Sequence, residues 1–206
     1  MLPIADKIKE VLQCELPGTS SHLKMLPSAR KLKADPEELV SAKHSGVMLL
    51  LFERNEELYA LLIKRPEHMK HHASQIALPG GRTEPGETIL ESALRETWEE
   101  IGIVSDKIEI LGKLSDLYVQ VSKFVIHPFV GWIENINTLN VNKNEVEKII
   151  AFPLKKMNAE IDETDINTVT GTIKVPCFKF DDEIIWGATS MILMEFYDLI
   201  KPLTRE

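Results

Sequence analysis

Between Leu78 and Ile103 the chain reads LPGGRTEPGETILESALRETWEEIGI, a double glycine and a short loop followed by glutamates at 96, 99 and 100. On a helix turning about 100° per residue, Glu96, Glu99 and Glu100 share one arc of the surface. Like charges at i,i+3 and i,i+4 cost an isolated helix about 0.2–0.5 kcal/mol per pair. A hard divalent cation would offset that repulsion. Magnesium takes carboxylate and water oxygens and is completed by substrate phosphates, so this arc suits phosphate chemistry. A solvated acidic face is the competing reading, and the flanking residues discriminate between the two.

Those residues specify a helix with defined ends. Thr88 and Glu91 have the capping-box spacing, and Gly102 stands where the last turn should close in positive φ. Leu90, Leu94, Thr97 and Ile101 form a separate stripe, expected to be buried. Just upstream, Lys64, Arg65, His68, Lys70, His71 and His72 make a basic island in a chain whose formal net charge is −8. A polyanionic ligand would be drawn to such a local patch. Zinc binding by His68, His71 and His72 is an alternative that lacks a fourth ligand.

Gly81, Glu87, Arg95, Glu96, Glu99, Glu100, Gly102 and Ile103 keep every spacing of the Nudix box, and the chain resembles that superfamily. Seven fixed residue types at ordinary usage recur by chance roughly once in 10⁸ windows. Thr97 departs from the pattern, which prefers an aliphatic residue there. The segment before the box is similar to the motif of Nudix coenzyme A diphosphatases. Leu61, Leu62, Arg65, Pro79, Gly80 and Gly81 are kept, whereas Ile63, Pro66, Lys70, Ser74 and Leu78 depart. Lys70 for arginine keeps the charge but loses the planar fork that grips a phosphate at two points.

The resemblance covers about residues 45 to 200, including 114–134, 142–157 (a short helix and a turn before Pro-Leu) and 185–196. It implies that Glu96, Glu99 and Glu100 hold Mg²⁺ or Mn²⁺, with the Gly81 carbonyl as a further ligand. Glu87 and Arg95 would brace the loop against the helix, with Arg95 counted among the catalytic residues beside Glu99. Glu145 is the candidate to reach the metal or to orient water, or else it is an acid at a helix start. Arg65, Lys70 and Gly80 would bind the substrate's phosphates. The implied activity is hydrolysis of coenzyme A or acyl-coenzyme A to 3′,5′-ADP and a 4′-phosphopantetheine. Another nucleoside-diphosphate compound, such as ADP-ribose or a dinucleotide, and a noncatalytic nucleotide-sensing module are the alternatives. Family habit suggests a homodimer.

The elements that must position these groups follow from patterning. The implied fold is an α/β/α sandwich on a mixed sheet (residues 44–206) with an N-terminal helical extension (1–43). Residues 1–16 read as a helix closed by Pro17-Gly18, and 18–43 as an arm with a short helix after Asp35-Pro36. Strands are expected at 46–53, 58–64, 123–134, 169–174 and 176–180, the last two around a bend. Residues 188–200 read as an amphipathic helix with Ile192, Phe196 and Leu199 on its buried face. Hydrophobic content of 44% is a globular value, and no apolar run is long enough to cross a bilayer. No signal-peptide pattern opens the chain, and Cys14 and Cys177 are too few for a disulfide framework, so a reducing cytoplasmic setting is expected. The acidic balance argues against nucleic-acid binding.

Overall fold

The computed structural model describes residues 3–27, 35–69, 72–137, 139–158, 161–168 and 171–204. In chain order, α1 is Ile4–Val11, α2 Thr19–His22, α3 Pro36–Val40, β1 Lys43–Arg54 and β2 Glu57–Lys64. The two-residue β3 (Ile76–Ala77) and β4 (Gly80–Arg82) lead into α4, Ile89–Ile101. Then come β5 (Glu109–Lys113), β6 (Leu117–Val119), β7 (Phe124–Trp132), β8 (Lys148–Pro153), β9 (Asp162–Thr168), β10 (Gly171–Phe180), β11 (Glu183–Trp186) and α5 (Gly187–Ile200).

The main sheet is mixed, with β3-β2-β1-β7-β5 in order and β4, β6 and β8 paired to β1, β7 and β2. Among the described residues its one parallel pair is β1 with β7, at its centre. Residues 47–52 of β1 are nearly all buried, because both faces of this strand are covered. One face carries Met48, Leu50 and Phe52 against Ala93 and Ile101 of α4. The other carries Leu49 and Leu51 toward α5, together with Ile8, Leu12 and Met25 from the N-terminal segment. Helices thus cover both faces of a mixed sheet, the expected α/β arrangement. The antiparallel sheet β9-β10-β11 stands beside it and packs on α5.

Several expectations are corrected. The first helix stops at Val11, short of Pro17. The short helix near 142–147 is a single turn, in which Asn142 O accepts from the amides of Glu145 and Val146. Residues 148–153 form β8, because the free edge of β2 offers a ladder of backbone partners to this apolar run. The bend between 174 and 176 is absent: β10 runs through Pro176 to Phe180 (Val169 and Thr170 lie outside the described residues). β11 pairs with β10 only from Cys177 onward, so Pro176 has a neighbour on one side only, where a missing N–H is tolerated. Helix α5 is buried almost all round, with Leu199 among its few partly buried residues, since sheet and N-terminal arm both cover it.

Candidate active site

Helix α4 starts as its sequence dictates. Thr88 Oγ1 accepts from the Glu91 amide at 3.2 Å while the Glu91 carboxylate takes the Thr88 amide at 2.6 Å. Gly102 closes the helix in left-handed conformation, φ 76°. Thr97, the departure from the aliphatic pattern, is buried and its hydroxyl donates to Ala93 O at 2.7 Å. Its polar atom is therefore satisfied inside the helix. Leu90 and Leu94 are only partly buried, and the stripe is deepest at Ala93, Thr97 and Ile101.

Two close approaches seat this helix. A Cβ on Gly46 of β1 would fall 2.2 Å from Ile89 O, so only a glycine lets α4 lie this near the sheet. A Cβ on Gly81 of β4 would fall 2.3 Å from Glu96 Cδ, so that peptide lies directly against a carboxylate.

Glu96, Glu100 and Glu145 come together, with one carboxylate oxygen from each lying within 4.8 Å of the others. Glu100 is almost fully buried; it accepts from Gly80 N at 3.0 Å and faces Arg65 Nη1 at 3.3 Å. Burial pushes its carboxyl up to about 8, against the pull of the Gly80 amide and Arg65, with Glu96 and Glu145 adding to the rise. Burial likewise raises Glu96, opposed by Arg95. Carboxylates crowded this closely in a poorly solvated place resist ionisation unless a cation joins them. An all-oxygen donor set of this kind fits a hard divalent ion.

Arg95 organises the surroundings. Its Nε and Nη2 grip the Glu87 carboxylate at 3.0 and 2.9 Å, and Nη2 also donates to Arg82 O at 3.2 Å. Its Nη1 reaches Glu96 at 2.9 Å and Glu99 at 3.2 Å. The loop, β4 and the helix are thereby tied through one guanidinium. Glu87 is held below the ordinary carboxylate range by Arg95 and by the Glu84 amide.

The structure places the remaining candidates as follows. Glu99 stands outside the three-carboxylate group, more exposed and paired with Arg95. Arg65 and Gly80 each spend a hydrogen bond on Glu100, while Arg65 Nε is buried without a partner. Lys70 and His71 lie outside the described residues. Of the rest of the basic island, Lys64 pairs with Glu147 and Glu183, His72 bonds Gln75 and His68 is exposed. Asn142 was not foreseen: its Nδ2 holds Glu145 Oε1 at 3.1 Å, and its Oδ1 takes the Asn144 amide. The Asn-x-x-Glu spacing was the available signal. The reading of Glu145 as an acid at a helix start gives way, because no helix forms there.

A cleft of about 410 Å³ opens beside the group, lined by Trp98, Glu99, Gly102, Asn140, Val141, Asn142 and Glu145. Among the described residues, no helix is long and apolar enough to cross a membrane.

The NUDIX domain family matches residues 42–170. Nudix hydrolase 3 of Caenorhabditis elegans is 29% identical over 160 residues, covering 69% of this chain and 67% of its own. The Nudix hydrolase NudL of Yersinia enterocolitica is 29% identical over 161 residues, covering 77% and 82%. The crystal structure of a MutT/nudix family protein from Enterococcus faecalis superposes with a TM-score of 0.53 at 20% identity, over 98% of this chain and 76% of that one. Nudix hydrolases use divalent metal ions, and the donor set formed by Glu96, Glu100 and Glu145 is suited to them. With the box residues folded as a loop and helix and the family match spanning both, the chain belongs to the Nudix family and is a hydrolase acting on diphosphate bonds.

Proposed function

We propose that the protein hydrolyses the diphosphate bond of coenzyme A or its acyl derivatives with Mg²⁺ or Mn²⁺, releasing 3′,5′-ADP and a 4′-phosphopantetheine. The observation that carries the hydrolytic part is the convergence of Glu96, Glu100 and Glu145 within 4.8 Å. The preference for coenzyme A rests on Leu61, Leu62, Arg65 and Pro79-Gly80-Gly81 at the intervals of the upstream motif. A divalent ion held there would neutralise charge on the diphosphate oxygens and lower the pKa of its bound water.

The chain's own residues do the rest. Glu96, Glu100 and Glu145 would hold the ion, with the Gly81 carbonyl as the further ligand that the resemblance implies. Arg95 fixes Glu96 and leans on Glu87, the kind of support that orients a ligand. Glu145, aligned by Asn142, would reach the ion or orient the attacking water. Glu99 borders the cleft and serves as an acid–base group or added ligand when it leaves Arg95. Lys70 and Arg65 carry the substrate's remaining charge.

One observation favours a second reading, in which ADP-ribose or a dinucleotide is preferred. Arg65, the arginine retained from the coenzyme A motif, is engaged by Glu100. The test is a panel of coenzyme A, acetyl-coenzyme A, ADP-ribose and diadenosine polyphosphates with each metal. Coenzyme A is expected to show the highest kcat/KM; a larger value for ADP-ribose or a dinucleotide selects the second reading. Hydrolysis in ¹⁸O-water then identifies the phosphorus attacked.

A further inference from the structure

Trp98 is 56% exposed on α4, although an indole carries a large apolar surface that folding normally covers. It stands on the wall of the 410 Å³ cleft, one residue before Glu99. The same cleft is lined by the segment Asn140–Asn142, which backbone bonds tie to the end of α4: Asn140 N to Ile101 O and Asn142 N to Glu100 O, each at 3.0 Å. The fit is close enough that a Cβ on Gly102 would fall 2.6 Å from Asn140 Cβ. The cleft is therefore an open depression between a helix end and a pinned loop. Val141 gives it a second apolar surface, and the Asn140 side-chain amide and the backbone of the segment give it polar edges, the Asn142 amide being taken by Glu145 and Asn144. Glu145, a member of the three-carboxylate group, also lines it.

From this arrangement we infer that the cleft is the nucleobase subsite and that Trp98 is the platform on which the base of the substrate stacks. The inference rests on the diphosphatase reading, since Glu145 belongs both to the carboxylate group and to the cleft, so a diphosphate held at that group leaves its nucleoside within reach of the cleft. An aromatic ring flanked by amide groups suits a flat, uncharged heterocycle: the face stacks and the edges hydrogen-bond. Stacking tolerates any base, so Trp98 confers a demand for a nucleobase, and choice among bases falls to the Asn140 side-chain amide and the loop backbone.

The test uses direct binding to the whole protein with Mn²⁺ present, with ADP as the base-bearing probe and inorganic pyrophosphate as the probe without a base. In the wild-type protein ADP is expected to quench tryptophan fluorescence and pyrophosphate to leave it unchanged. Trp98→Ala is expected to weaken ADP binding by about five- to a hundredfold while pyrophosphate binding stays within twofold, and Trp98→Phe to restore most of the loss. Equal losses for both probes, no loss of ADP affinity, or failure of Trp98→Phe to recover it would overturn the assignment. Pyrophosphate binding and hydrolysis of the substrate panel report separately on the carboxylate group. An active enzyme whose Trp98→Ala variant still binds ADP normally would therefore refute this subsite and leave the hydrolytic reading standing.

Discussion

At Glu100 the structure puts an ionisable group where water barely reaches, and two consequences follow. Glu100→Gln keeps the shape and an acceptor for the Gly80 amide while removing the charge. Its kcat is expected to fall at least about a hundredfold with an unchanged circular-dichroism spectrum, as for loss of a group that stabilises transition-state charge; near-normal turnover would reject the metal role. The second consequence concerns pH. Burial raises Glu100 from an ordinary 4.5 to about 8, so between those values the folded metal-free protein keeps a proton the unfolded chain has lost. That contribution is full below the ordinary value and disappears as pH rises to the folded one. Chelator-treated protein should therefore lose thermal stability from about pH 5 to about pH 8, and added Mn²⁺ should raise Tm more at the higher pH, because ligands must be deprotonated to bind. A Tm that is flat with pH in the metal-free protein, or a Mn²⁺ effect larger at low pH, would contradict this.

At the scale of elements, the contact of α4 with β1 and β4 sets the spacing of the site, and two glycines test it differently. The obstacle to a methyl at Gly46 is backbone, Ile89 O, which cannot step aside without moving the helix. Gly46→Ala is expected to destabilise the fold by about 1–3 kcal/mol in urea denaturation. The obstacle at Gly81 is the end of a side chain, the Glu96 carboxylate. Gly81→Ala should keep nearly normal stability but weaken Mn²⁺ binding about tenfold or more by calorimetry, because a displaced ligand costs affinity rather than packing. Similar stability losses at both positions would show that the Glu96 carboxylate is not free to yield. Helix α4 itself was legible in the sequence from Thr88 to Gly102, because its caps and stripe act within a few residues. β8 was not, since its state depends on an edge of β2 that lies more than eighty residues earlier.

Across the whole molecule, the N-terminal arm belongs to the same core as the sheet. His22 and Glu195 are both buried and meet at 2.8 Å, and Glu195 also accepts from the amides of Gly18 and Ser115. Although its own burial works the other way, contacts with His22 and Ser115 leave Glu195 below the ordinary carboxylate range. Asp198 adds Ser21 and Lys24 on the same helix. Removing His22 strands a buried carboxylate, so His22→Ala should cost about 3–5 kcal/mol of stability while kcat per folded molecule is unchanged. A loss below about 1 kcal/mol would show that the Gly18 and Ser115 amides satisfy Glu195 without His22. As the sequence presents it, 1–43 is an extension; nothing in its composition indicates that Ile8, Leu12 and Met25 share a cluster with α5.

The amino-acid sequence alone determined the family, the ends of the central helix and the acidic residues available for chemistry, because caps, periodicity and motif spacing are local properties. Folding decided which of those acids meet. Glu145 joins Glu96 and Glu100 through a loop pinned to the end of α4, while Glu99, one residue away from Glu100, turns to Arg95 instead. Such choices depend on long-range packing and on where water is excluded, and neither is written in the spacing of residues along the chain.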